Sequence, residues 1–136
     1  MKVLCKYAEN ADVPQSIRHN NALPTSRFDV VVGRKYTVFG LAIFARRLHF
    51  LIDPDDACRP NWYPPELFEV MDGRVPNSWV FDFYPEGYSD DLGAICGYGN
   101  LVNDPEHFNA LAEREPDALA VFARYKEWLR TNDTDR

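Results

Sequence analysis

Residues 36–52 read YTVFGLAIFARRLHFLI, two apolar runs separated by an arginine pair. The first run, residues 36–45, is rich in β-branched and aromatic side chains. It predicts a strand that is buried on both faces or bends at Gly40. Residues 48–52 alternate between two faces, as in a second strand. With a turn at the arginine pair, the stretch predicts a β-hairpin at the centre of the fold.

The chain before this hairpin adds further predicted strands. Residues 2–7 form a first strand. Residues 8–27 are polar and predict a loop with a short helical turn near residues 14–18. Residues 28–32 open the strand-rich centre in an apolar run that ends at Gly33.

The chain after it predicts a second hairpin. The aspartates and proline of residues 53–56 end the preceding strand, and a proline-rich loop follows as far as Pro65. Residues 67–71 and 75–84 flank Asp72 and Gly73, a dipeptide typical of tight hairpin turns. In the second arm, three aromatic side chains share one face: Trp79, Phe81 and Phe83.

The C-terminal part changes to a helical period after a short last strand at residues 94–96. Asp104 followed by Pro105 predicts a helix start, and this helix extends to about Arg114. Pro116 opens a second helix, and residues 131–136 are expected to fray. One apolar stripe follows the second helix: Ala118, Val121, Phe122, Tyr125, Trp128 and Leu129.

Strands that precede helices without alternating with them predict an α+β fold. We expect an antiparallel, strongly bent sheet or a small SH3-like half-barrel of five or six strands, followed by two C-terminal helices. The whole chain, residues 1–136, forms one domain. Residues 1–103 are mainly β with loops, and residues 104–130 are helical.

The cysteine count and the absence of a leader predict the compartment. Three cysteines, without a C-x-x-C pair, predict reduced thiols in a cytoplasmic protein. Residues 1–7 are too short an apolar run for a signal peptide, and residues 38–45, the longest apolar run, are too short for a membrane span. We therefore expect no membrane association and no disulfide.

The charge of the chain is uneven. Residues 1–52 carry a net charge of +5 and residues 53–136 one of −11, which together give −6. An acidic surface repels phosphates, so we expect no nucleic-acid partner. The same surface favours a basic protein partner.

No catalytic, cofactor-binding or metal-binding motif is recognisable, so we predict no such residues and no cofactor. Cys58 and His49, with Asp56 to orient the imidazole, offer a nucleophile–base pair without a family signature. The acidic cluster that begins at Asp53 fails as a calcium loop, because Cys58 and Pro64 stand where glycine and glutamate are required.

Three further features of the sequence are expected to be structural rather than functional. Residues 97–99 contain two glycines, but no predicted helix follows at once, which indicates a turn rather than a phosphate loop. His107 is expected to face solvent in the first turn of its helix. Asp82 is expected to point outward from its strand.

Residues 62–65 read WYPP and form an aromatic loop just after an acidic cluster. Rigid aromatic side chains anchor interfaces, and adjacent acids select a cationic partner. The alternative is that the two aromatics fold back as a lid on the sheet. The predicted partner-binding residues, with a second acidic pair, are Asp53, Asp55, Asp56, Trp62, Tyr63, Asp90 and Asp91.

Residues 30–40 (VVVGRKYTVFG), 63–70 (YPPELFEV) and 78–81 (SWVF) together resemble small bacterial proteins, including immunity proteins of polymorphic toxin systems. The resemblance covers roughly residues 28–84 and includes no catalytic motif, so it assigns no functional residue. It implies a cytoplasmic, non-catalytic role in neutralising a toxin.

The leading hypothesis is a non-catalytic binding protein. In its most concrete form it is an immunity-type inhibitor that docks an acidic and aromatic surface onto a basic partner such as a toxin domain. Two alternatives remain open. One is a small enzyme of unrecognised class with a carboxylate or Cys–His site near Trp62, and the other is an SH3-like adaptor that binds a peptide.

Overall fold

The computed structural model describes residues 1–17, 27–85 and 92–132. Its strands are β1 (Lys2–Cys5), β2 (Lys35–Thr37), β3 (Gly40–Phe44), β4 (Arg47–Ile52), β5 (Asn61–Tyr63), β6 (Phe68–Asp72), β7 (Val80–Phe83) and β8 (Ala94–Gly97). The α-helices are α1 (Gly99–Asn103), α2 (Pro105–Ala112) and α3 (Pro116–Asn132). Short 3₁₀ helices occupy Asn10–Asp12, Gln15–Ile17 and Pro65–Leu67.

The strands form two antiparallel sheets. The small sheet has the order β2-β1-β6 and the large sheet the order β5-β4-β3-β8-β7. This confirms the α+β class with antiparallel sheet followed by helices. The described strands are divided between two sheets, and the sheet is not closed into a barrel.

The large sheet is the middle of three layers, and the alternation along β4 shows why. Phe50 and Ile52 belong to the core that also contains Val3 of the small sheet. Leu51 points to the other side, into the core that contains Phe122 of α3. Successive side chains of a strand face opposite ways, so β4 joins both cores.

The hairpin predicted within residues 36–52 is confirmed from Gly40 onward. β3 pairs with β4, and Phe44 opposes Arg47 across a two-residue turn. Both turn residues, Ala45 and Arg46, have positive φ angles of 50° and 63°, as tight hairpin turns require. The first run is not one strand. β2 pairs with β1 in the small sheet, and the chain then crosses to the large sheet at Val38.

Two strand predictions are wrong. Residues 30–32 form no strand, since Val31 and Val32 are exposed in a turn that ends at Gly33. Asp72 and Gly73 do not connect a hairpin, because β6 pairs with β1 and β7 pairs with β8 in the other sheet. The Asp72 side chain binds the backbone N–H of Arg74 locally, and the chain then crosses between the sheets. β5 was also not predicted, and it lies inside the proline-rich loop.

The helix start at Asp104 is confirmed, since its side chain accepts the N–H groups of Glu106 and His107 at 3.1 and 3.3 Å. α2 ends at Ala112. α3 begins at Pro116 as predicted. In its stripe, three side chains are buried and two are half-buried, while Trp128 is 46% exposed.

α1 was not predicted. It begins directly at Gly99, which corrects the interpretation of residues 97–99 as an isolated turn. Leu101 of α1 packs on two paired glycines of the sheet: a Cβ at Gly40 would lie 2.7 Å from its Cδ2 and one at Gly97 2.9 Å. The glycines therefore allow the helix to approach the sheet closely.

Among the described helices, none combines the length and the apolar character needed to cross a bilayer. The three cysteines, Cys5, Cys58 and Cys96, are all free. Burial raises the pKa of the thiols of Cys5 and Cys96, so both stay protonated at neutral pH.

Candidate functional site

Asp53 lies at the end of β4 and is buried. Its carboxylate accepts hydrogen bonds from the backbone N–H groups of Cys58 at 2.9 Å and Arg59 at 3.1 Å, which close the turn after the strand. The Nζ atom of Lys126 donates a third, at 2.6 Å. Only 1% of the Asp53 side chain is exposed, so this carboxylate makes its contacts within the fold.

Lys126 is the cation between two of the predicted acids. Its side chain is 11% exposed, and it pairs with Asp56 as well as with Asp53. Burial alone would lower the pKa of Lys126, but its hydrogen bonds to the two carboxylates raise it above its usual value. The hydrogen bond from Lys126 likewise lowers the pKa of Asp56. Both groups therefore stay charged, and Asp55 is a second exposed acid of this turn beside Asp56.

A cleft of about 430 Å³ lies beside this ion pair, between the small sheet, residues 53–56 and the end of α3. Five cationic side chains line it together with the three carboxylates. The surface around Asp53 is therefore of mixed charge, and it is not the acidic patch expected from residues 53–56. The cationic lining residues are Lys2, Arg34, Lys35, Lys126 and Arg130.

Trp62 and Tyr63 are consecutive residues of β5 and point to opposite faces of the large sheet. Tyr63 is buried in the core between the sheets, where its ring meets Phe28 edge to face at 6.3 Å. Burial raises the pKa of Tyr63 to about 12. Trp62 is half-buried against Phe44 and Phe108 on the helical side. This arrangement matches the lid alternative for the aromatic loop.

The remaining sequence-derived candidates are not brought together. Asp90 and Asp91 lie outside the described residues. His49 stacks on Phe44 with ring centroids 3.8 Å apart, and Asp56 pairs with Lys126 rather than orienting an imidazole. Within the described residues, no group of three or more His, Cys, Asp or Glu side chains could hold a metal ion.

His107 corrects another expectation. It is buried at 6% exposure instead of facing solvent, and its Nε2 lies 2.8 Å from the hydroxyl of Tyr98. Burial lowers the pKa of His107, although the charge of Asp104 opposes the shift. Burial also raises the pKa of Tyr98 above its usual value. A neutral imidazole and a protonated phenol therefore form this buried hydrogen bond.

The structure reveals a surface that the sequence did not identify as a site. Across β7, β8, β3 and β4, the strand register places Phe83, Ala94, Ile43 and Leu48 in one row on one face of the large sheet. Phe81 lies in the adjacent row. We call the four large exposed side chains the apolar face: Ile43, Leu48, Phe81 and Phe83.

The two phenylalanines dominate this apolar face. Phe81 is 63% exposed and Phe83 is 72% exposed, and their rings stack with centroids 6.3 Å apart. The row of Phe81 continues through β8 and β3 to Phe50 and Tyr63, which are buried. The small sheet therefore covers the β4–β5 end of this surface and leaves the β7 end open. The sequence predicted that Phe81 and Phe83 share a face, but not that the face is uncovered.

β7 is also an edge of the large sheet. The N–H of Tyr84 donates to the carbonyl of Gly93 at 2.9 Å, so residues 80, 82 and 84 direct their backbone groups toward β8. By alternation, the backbone groups of Phe81 and Phe83 point to the outer side. In the described part of the chain, no further strand pairs with β7 there.

The stretch of sequence that contains β7 has acidic residues but no lysine or arginine. Residues 75–113, which contain β7 and β8, include seven Asp or Glu residues and no Lys or Arg. Asp82, in the middle of β7, is exposed as expected. Residues 53–56, in contrast, contact the cation of Lys126.

Comparison with known proteins assigns no relative. No family model matches the chain, and neither a curated protein nor a solved structure matches it. The resemblance to immunity proteins therefore stays a prediction.

Proposed function

We propose that this chain is a cytoplasmic, non-catalytic binding protein of the immunity type that engages a basic protein partner through the apolar face and the outer edge of β7. One observation carries the proposal. Two stacked phenylalanines, each more than half exposed, lie on an edge strand within a stretch that has seven acids and no Lys or Arg.

The apolar face supplies the affinity. Burying one phenylalanine side chain fully is worth about 1.5–3 kcal/mol relative to leaving it in water. Contiguous exposed apolar groups on a soluble protein mark interaction sites, and aromatic side chains are enriched in interface cores. Phe81 and Phe83 are adjacent on one face, so a single partner surface can cover both.

The acidic stretch supplies the selectivity. Complementary charge accelerates encounter and rejects partners of the same sign. An immunity-type inhibitor needs no active site of its own, but only a surface that complements the toxin it covers. A cationic toxin domain meets that requirement, and the interface is then remote from Trp62 and Tyr63, which pack into the fold.

The test is to capture partners from source cells with the wild-type protein and with the double variant Phe81→Ser/Phe83→Ser. We expect a basic protein that the wild type retains and the double variant loses. With that partner purified, the double variant should raise Kd by about 30-fold or more, the effect of losing a central aromatic anchor.

The matched control is Val31→Ser/Val32→Ser, which removes two exposed apolar side chains from a turn elsewhere. This control should bind as the wild type does. The proposal fails if both double variants bind equally well. It also fails if no protein partner is found and the purified chain converts a small molecule.

A further inference from the structure

We infer that the partner binds by adding an extended strand of its own to the outer edge of β7, which would extend the large sheet from five strands to six. This inference rests on the proposed function and specifies its mode of contact. Strand addition uses main-chain hydrogen bonds for affinity and side-chain pockets for selectivity.

The backbone of β7 is suitable for this pairing. The N–H and C=O of Phe81 and the C=O of Phe83 point away from β8, since Tyr84 pairs inward with Gly93. The N–H of Phe83 donates to Oδ1 of its neighbour Asp82 at 2.8 Å. Three outward backbone groups can therefore pair with an added strand. The N–H of Phe83 becomes a fourth when a cation draws the Asp82 carboxylate away.

The other edge strands of the described chain carry features that discourage pairing. β5 has only three residues and is followed directly by Pro64 and Pro65. β2 also has three residues and carries Lys35. β6 has a register shift against β1. Natural sheets use short strands, proline, lysine and irregular register to block their edges.

β7 lacks proline, lysine and any register shift, and it is exposed at all four positions. Its one charge is Asp82. An edge with a central carboxylate repels an acidic strand and accepts a cationic one, because opposite charges on facing positions stabilise a strand pair.

A second copy of this chain fits the edge poorly. Antiparallel pairing that sets Phe81 opposite Phe83 of the other copy also sets Asp82 opposite Asp82. Like charges that face each other across a strand pair are destabilising, and each chain already carries a net charge of −6. The occupant is therefore an extended segment with apolar residues opposite Phe81 and Phe83 and Lys or Arg opposite Asp82.

A synthetic peptide tests this directly. The probe is an eight-residue peptide of alternating lysine and valine, and its controls are the glutamate–valine counterpart and a lysine–valine peptide N-methylated along one edge. We expect only the unmodified lysine–valine peptide to bind. In its complex, hydrogen exchange of the Phe81 N–H should slow by at least about tenfold. Binding of the N-methylated peptide with equal affinity, no binding of the lysine–valine peptide, or unchanged exchange would each overturn strand addition.

A pair of variants separates backbone from side chain. Phe81→Val and Phe81→Pro leave apolar side chains of similar size, but only the proline removes the outward N–H. That N–H makes no bond to β8, and proline is tolerated at such edge positions. We expect Phe81→Pro to bind the peptide at least about tenfold more weakly than Phe81→Val, a difference of about 1.4 kcal/mol. Equal affinities would contradict the inference.

The two proposals fail differently. If the Phe81→Ser/Phe83→Ser variant loses its cellular partner while the lysine–valine peptide does not bind, the apolar face is an interface without strand addition. If the double variant keeps its partner, the proposed function fails whatever the peptide does.

Discussion

The Nζ atom of Lys126 lies 2.6 Å from Oδ2 of Asp53, so that one ion pair joins α3 to the end of β4 across 73 positions of sequence. Both side chains are almost inaccessible to solvent. The pair belongs to the interior. Removing one partner there leaves the other as a buried charge without compensation, which destabilises the fold.

Asp53→Asn should therefore destabilise the protein by about 3 kcal/mol, the lower end of the range for breaking a buried ion pair, because Asp56 still partners Lys126. Asp56→Asn should cost less than about 1 kcal/mol, because its carboxylate is 73% exposed. Urea unfolding of the two variants measures both. Equal losses would mean that the Asp53 pair is not the structural one.

Phe122 is the central side chain of the core under α3. It is fully buried and meets Phe39 edge to face at 5.1 Å. Phe122→Ala should cost about 3–5 kcal/mol, the usual range for a buried phenylalanine. Arg124→Ala, an exposed change in the same helix, should stay within about 0.5 kcal/mol. A loss below about 1 kcal/mol for Phe122→Ala would show that α3 is peripheral to the fold.

The close approach of α1 to the sheet gives a third prediction. Gly40→Ala places a Cβ 2.7 Å from Cδ2 of the buried Leu101, and overpacking of this kind costs about 1–3 kcal/mol. Gly73→Ala is the control, because its Cβ would meet only Val70, at 3.7 Å. Chemical denaturation compares them. A Gly40→Ala protein as stable as the control would show that Leu101 moves aside freely.

Local signals predicted the elements whose partners are near in sequence. The hairpin of β3 and β4 closes through a two-residue turn, and the cap at Asp104 contacts N–H groups two and three residues later. The apolar stripe of α3 could also be predicted, because helical spacing depends on the helix alone.

The predictions that failed concern contacts between residues far apart in sequence. Asp72 and Gly73 predicted a hairpin turn, yet β6 and β7 belong to different sheets. Between these two strands, Trp79 is buried in the core between the sheets. The aspartates of residues 53–56 looked like a free acidic loop because their cation, Lys126, comes from the far end of the chain. Exposure of Phe81 and Phe83 depends on how far the small sheet extends, which no periodicity encodes.

His107 predicts a dependence of stability on pH. Burial lowers its pKa below the ordinary value of 6.5, so the unfolded chain binds this proton more tightly than the folded chain does. The stability contributed by the neutral imidazole is therefore complete above about pH 6.5. It declines as the pH falls from there toward the folded pKa, by at most about 1.4 kcal/mol per pH unit.

The measurement is urea unfolding between about pH 8 and 5, for the wild type and for His107→Gln. The difference in the free energy of unfolding between the wild type and His107→Gln isolates the contribution of this histidine from that of the other titrating groups. It should shrink as the pH falls through the window. A difference that grows instead would mean that the folded state holds His107 protonated.

The final prediction separates the two contributions to partner binding. Asp82 is an exposed charge on the edge strand β7, and exposed charges at an interface act mainly on the association rate. Asp82→Asn should slow association with the captured basic partner and flatten its dependence on salt, because salt screens such charges over a Debye length of about 8 Å at physiological ionic strength. Asp117→Asn, an exposed acid in the first turn of α3, is the matched control and should change neither.

Phe83→Ala should act on the other rate. Phe83 contributes apolar area only after contact is made, so its loss should accelerate dissociation while association changes little. Both rates can be followed by stopped-flow fluorescence at two salt concentrations. If Asp82→Asn and Asp117→Asn slow association equally, the partner senses the net charge of the chain and not the charge of β7. If Phe83→Ala leaves dissociation unchanged, the apolar face lies outside the contact.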